Sequence, residues 1–110
     1  MIVRNGWRER LRTLVSDMGR SEKHVEYPFK RVLEIVDAPT AAALNEELTK
    51  LVGIGQLDAI YRIRSQETGA GLAEFHNLME IPTQLFDDTA DRYQKVVLGR
   101  DVELIYRAPA

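Results

Sequence analysis

A chain of 110 residues that is 45% hydrophobic and 29% charged lies outside the compositions of disordered, collagen-like and low-complexity proteins. Its length suits one domain, residues 1–110, able to bury roughly 65% of its unfolded surface without covalent staples. The chain contains no cysteine, which excludes disulfides, thiolate nucleophiles, iron–sulfur clusters and thiolate zinc sites, and its net charge is −2.

That charge is divided unevenly. Residues 1–31 hold eight Lys/Arg against four Asp/Glu, and residues 32–110 hold seven against thirteen. Arg4, Arg8, Glu9, Arg10 and Arg12 interrupt the opening segment as they would not in an export signal. No run approaches the roughly 18 apolar residues of a membrane span. A cytoplasmic protein with no membrane contact is the expectation, because a reducing compartment tolerates such a chain.

In chain order, Trp7, Leu11, Leu14, Val15 and Met18 recur at helical spacing and predict a helix of about three turns, capped by Asn5 and ended by Gly19. Ser21 to Tyr27 reads as a polar linker to Pro28. A short helix burying Phe29, Val32, Leu33 and Val36 follows. Asp37–Ala38–Pro39–Thr40 breaks and restarts the helix, and Leu44, Leu48, Leu51 and Val52 continue it until Gly53 and Gly55.

From Leu57 the period becomes two. Residues 57–65 predict a strand, Gln66 to Gly71 a loop, and Ala73 to Ile81 a second strand that closes a hairpin before Pro82. Residues 83–91 fit helix or strand. Tyr93–Val97 and Val102–Arg107 flank Leu98–Gly99–Arg100–Asp101 and predict a second hairpin with a tight turn. The fold class is therefore α+β, about three N-terminal helices followed by an antiparallel sheet of two hairpins. Ile-Tyr-Arg occurs at both 60–62 and 105–107, which suggests that Arg62 and Arg107 occupy comparable strand faces where Glu74, Glu80 or Glu103 could pair with them.

Three helices followed by a hairpin resemble a winged helix, whose third helix enters the major groove. The pattern L-x-x-E-L-x-x-L-V-x-x-G-x-L, Leu44 to Leu57, is similar to the junction between such a helix and its wing, and the resemblance covers residues 28–81. It implies DNA binding. The outward face of residues 40–52, however, offers Ala42, Ala43, Asn45, Glu46, Glu47, Thr49 and Lys50. Two carboxylates against one lysine oppose phosphates, so a solvated face is expected there.

Arg8 and Arg12 stand one turn apart, with Arg4 a turn earlier and Arg10 to the side, and this stripe suits phosphate or an acidic surface or, equally, intramolecular pairing. Asp87, Asp88 and Asp91 spell D-D-x-x-D, which resembles the magnesium-binding motif of prenyl diphosphate synthases. Those enzymes are longer, all-helical and carry a second acidic motif, so a turn in which the aspartates and Thr89 bond the local backbone is expected instead. His24 and His76 lack the neighbours of a four-ligand sphere. Gly53–Ile54–Gly55 lacks the third glycine of a dinucleotide fingerprint and follows a helix, and Ser65 and Thr68 have no base nearby in sequence.

These observations predict a non-enzymatic protein-interaction or regulatory module, self-associating or bound to a protein partner, without cofactor or metal. Its candidate binding residues are Arg8, Arg12, Arg62, Arg64 and Arg107. The alternative is a winged-helix-like transcriptional regulator that would reach DNA through Arg8, Arg12, Arg62, Arg64 and Arg100.

Overall fold

The computed structural model describes residues 6–109, so the expected cap Asn5 and the basic Arg4 lie outside the described residues. The fold is α+β. The chain divides into two compact units, Met1–Ala59 with Tyr106–Ala110, and Ile60–Ile105.

In the first unit, helix α1 (Gly6–Arg20) buries Trp7, Leu11 and Met18, with Leu14 and Val15 half-buried on the same stripe. Gly19 does not end this helix. Its backbone is not left-handed, and one further residue joins because the Ser21 amide still donates to the Asp17 carbonyl at 3.0 Å while Arg20 pairs with the Asp17 carboxylate at 3.1 Å. The linker is also shorter than Ser21 to Tyr27, since Glu26–Pro28 form strand β1. Three residues are too few to show a period of two, and the proline ending them masks the strand.

Helix α2 (Phe29–Val36) buries Val32 and Val36. Asp37 closes it in the left-handed region, φ 53°, with its amide on the Leu33 carbonyl at 3.0 Å. Thr40 then caps helix α3 (Ala41–Gly53), its hydroxyl accepting from the Ala43 amide at 3.0 Å. Leu44 and Leu48 are fully buried, and Gly55 supplies the left-handed turn, φ 78°, that reverses the chain. The break and restart at residues 37–40 thus fall where the sequence places them.

Two long side chains tie the helices together. The Arg10 Nε donates to the Val36 carbonyl at 2.8 Å, filling an acceptor that the end of α2 leaves open. Arg8 stacks over Trp7 at 4.5 Å and reaches Glu47 of α3 at 3.5 Å.

Strand β2 (Asp58–Arg64) leads from the first unit into the second and pairs antiparallel with β3 (Gly71–Phe75), with Arg62 opposite Glu74 and a bulge between Ile63 and Arg64. The connecting loop closes through Ser65 and Ala70 at 2.8 Å, with Gly69 at φ 76°. The expected second strand through Ile81 is cut short. The Asn77 side chain accepts from the Met79 amide at 2.9 Å and starts a 3-10 turn, Leu78–Glu80, before Pro82 has any effect.

The second hairpin is built from different partners than the sequence suggests. Strand β4 (Gln84–Asp87) pairs antiparallel with β5 (Arg92–Lys95) across a turn in which Asp91 is left-handed, φ 53°. Leu98–Asp101 is a short helix, α4, instead of a hairpin turn. Strand β6 (Val102–Arg107) does not pair with β5; the sheet order is β1-β6-β2-β3, with β4-β5 a separate ribbon. The three-helix, hairpin order is present along the chain, but nothing beyond that order identifies a winged helix.

Trp7 is 5% exposed and heads the buried stripe of α1. Trp7→Ala should therefore cost about 3–5 kcal/mol. Urea unfolding followed by far-UV circular dichroism measures it, since the variant has no tryptophan fluorescence. A cost below about 1 kcal/mol would contradict this anchoring role.

Candidate functional site

The second unit buries few apolar side chains, Ile60, Ile63 and Ile105, alongside four polar ones, Ser65, Asp87, Gln94 and Asp101. Burial on this scale demands partners. Ser65 stands just past β2, and its hydroxyl donates to the Asp87 carboxylate at the end of β4. The same hydroxyl oxygen accepts the amides of Glu67 and Thr68 at 3.2 and 3.0 Å, which folds the loop. Asp87 also accepts the Thr89 and Ala90 amides at 2.9 and 3.2 Å and the Thr89 hydroxyl, which in turn meets Thr68 at 2.8 Å.

Gln94 of β5 extends the connection. Its carboxamide nitrogen donates to the Arg64 carbonyl and its oxygen accepts the Gln66 amide, both at 3.0 Å. The Gln66 side chain donates to the Lys95 carbonyl at 2.8 Å and to Asp101 at 2.9 Å. Asp101 accepts the Val97 amide at 2.8 Å and the Arg100 Nε at 3.0 Å. Among the described residues no buried side-chain nitrogen or oxygen lacks a hydrogen bond. The ribbon is thereby attached to the β2–β3 loop by side chains on its inner face.

The charges follow from this geometry. The Ser65 hydroxyl, then Thr89, hold the Asp87 carboxyl below its ordinary value despite burial. The Arg100 guanidinium, outweighing burial, lowers Asp101 from 3.8 to about 2, and Asp101 raises Arg100 in return. The Ser65–Asp87 pair fastens the β2–β3 loop to the end of β4. The D-D-x-x-D segment is the β4–β5 turn, as its local hydrogen bonding predicts. Among the described residues no three His, Cys, Asp or Glu side chains are grouped to hold a metal ion.

The outer face of the ribbon is different. Cross-strand register places Phe86 opposite Tyr93 and Gln84 opposite Lys95 on that face. The two rings meet edge to face, centroids 5.1 Å apart and planes at 73°. Phe86 is 44% and Tyr93 64% exposed, while Leu78, Met79, Val97 and Leu98 of the same unit also present apolar surface. By sequence alone, residues 83–91 fit helix or strand. Gln84–Asp87 runs polar, apolar, apolar, polar, so it carries no period-two alternation that would mark a strand.

The sequence-predicted arginines are dispersed. Arg8 meets Glu47, Arg62 meets Glu74, Arg64 meets Glu103 at 3.0 Å, and Arg107 meets Glu26 at 3.3 Å. Glu103 thus serves Arg64 and not the Ile-Tyr-Arg arginines. Arg12, exposed on α1, makes no hydrogen bond or ion pair among the described residues. On α3, Glu46 and Glu47 lie 3.7 and 3.6 Å from Lys50.

Clefts lined by the described residues include three. One of about 390 Å³ adjoins the polar network at Arg64, Gln66, Gly69 and Arg100. Two lie in the helical unit: about 460 Å³ beside Glu9, Arg10, Leu14 and Asp17, and about 420 Å³ beside Arg12, Ser16, Leu51 and Gln56. No protein-family model, curated protein or solved structure matches the chain. Among the described residues no helix is long and apolar enough to cross a membrane.

Two outcomes follow for the network. Ser65→Ala leaves a buried carboxylate and two loop amides short of a partner and should lower stability by about 1–3 kcal/mol. Asp101, depressed in the folded state, contributes stability that is complete above its ordinary value of 3.8 and is lost as pH falls toward about 2. Urea midpoints measured across that interval should fall with pH and fall less steeply in Asp101→Asn, with Asp87 supplying the remaining slope. An unchanged slope in the variant would contradict the assignment.

Proposed function

We propose that the protein is a non-enzymatic protein-interaction module that docks a partner on the outer face of the β4–β5 ribbon. The observation that carries this reading is the exposed Phe86–Tyr93 pair on a strand pair whose other face is fixed by Asp87 and Gln94. Aromatic side chains held in place lose little entropy on binding, and such residues dominate interface energetics. A second copy of the chain or a different protein suits the face equally, since both offer apolar surface.

Nucleic-acid binding is less well supported. Arg8, Arg62, Arg64 and Arg107 are each engaged by a glutamate, so phosphate contact at these positions exchanges one anion for another and yields little counterion release. Arg100 is held by Asp101 in the same way.

A photo-crosslinking amino acid at position 93, compared with one at exposed Lys30, tests the reading. Crosslinking to a discrete protein, or to a second copy, is expected at position 93 alone. In a chain labelled at neighbouring Lys95, Phe86→Ser with Tyr93→Ser should abolish the adduct while the circular dichroism spectrum is kept. Adducts equal at both positions, or indifferent to the serine substitutions, would overturn it. Duplex DNA at physiological salt should give no mobility shift; submicromolar binding would favour the regulator instead.

A further inference from the structure

Arginines in this chain are consistently given acceptors. Among the described residues Arg8, Arg20, Arg31, Arg62, Arg64, Arg92, Arg100 and Arg107 each meet a carboxylate, and Arg10 meets a carbonyl. Arg12 is the exception, and it borders the cleft of about 420 Å³ in the helical unit. The surroundings set this cleft apart from the other two. Arg10 shares its cleft with Glu9 and Asp17, and Arg64 and Arg100 share theirs with Asp101, whereas no carboxylate lines the Arg12 cleft.

The remaining lining has a definite chemistry. Ser16 lies one helical turn beyond Arg12 on the same face of α1, and Gln56 approaches from the chain following α3; neither side chain makes a hydrogen bond among the described residues. Val15, Leu51 and Pro109 supply apolar walls. One fixed cation, two neutral donors and an apolar wall complement a single negative charge attached to a short hydrocarbon body. A guanidinium matches a carboxylate in plane through two parallel hydrogen bonds. A phosphate dianion would leave half its charge unmatched and gain nothing from the apolar walls. The volume lies within the range of small-molecule sites.

We propose that this cleft binds a small aliphatic carboxylate, with Arg12 as its charge partner, Ser16 and Gln56 as supporting donors, and Val15, Leu51 and Pro109 against its hydrocarbon part. The site is independent of the aromatic face on the β4–β5 ribbon.

The test is a titration of the ¹⁵N-labelled full chain with sodium isovalerate, followed by two-dimensional NMR. Isovaleramide, sodium phosphate and sodium chloride serve as comparison probes. Saturable shifts of the Ser16 and Gln56 amides and of the Arg12 Nε–H are expected with isovalerate and absent with the uncharged amide. Arg12→Gln should weaken binding by about tenfold or more, and Arg12→Lys, which keeps the charge and loses the fork, by less. Melting temperatures equal to the parent's would show that the exposed substitutions leave the fold intact, and a variant that fails this is replaced by Ser16→Ala with Gln56→Ala, expected to weaken binding in the same direction. Equal shifts with isovaleramide or chloride, tighter binding of phosphate, or affinity unchanged in Arg12→Gln would overturn the proposal.

Discussion

A buried carboxylate is tolerable only when donors fill its oxygens, and the Ile60–Ile105 unit is organised around two of them. Asp87 and Asp101 receive their donors from chain segments that are otherwise irregular: the β2–β3 loop, the β4–β5 turn and the Val97 backbone. An isolated two-stranded ribbon is marginal in water. Here its inner face is held by hydrogen bonds from Ser65 and to Arg64, which leaves the outer face free to carry aromatic rings instead of core-forming ones.

The same economy of acceptors shapes the surface. Glutamates stand opposite or beside most of the arginines, so few of the described guanidinium groups are bare. Exposed pairs of this kind contribute little to stability, but they remove the electrostatic field on which phosphate binding depends. Among the described arginines, Arg12 is left without such a partner, on the unit that does not carry the aromatic face.

Periodicity carried the helical unit well. The spacing of Trp7, Leu11 and Met18, the Asp37–Thr40 interruption and the glycine at position 55 each correspond to a physical stop or start that one sequence expresses on its own. The sheet was less readable because its decisive interactions are between side chains distant in sequence. Asn77 ends a strand that alternation would continue, and Val102–Arg107, the next strand after β5, lies in sheet order between β1 and β2. The candidate ribbon face escaped for the same reason. Four-residue strands carry too little pattern, and Ser65, Gln66, Gln94 and Asp101 read singly as ordinary polar residues. The dispersal of the candidate arginines among glutamates was equally hidden, since pairing such as Arg64 with Glu103 depends on which strands are neighbours.

Hydrogen exchange gives the most direct test that side-chain acceptors hold the ribbon in place. The amides of Gln66, Thr89, Ala90 and Val97 bond to the side chains of Gln94, Asp87 and Asp101. If the network fixes the ribbon, these four should be protected together and as strongly as the β4–β5 ladder amides, exchanging only when the unit opens. Exchange of the four at open-loop rates while the ladder stays protected would contradict the account.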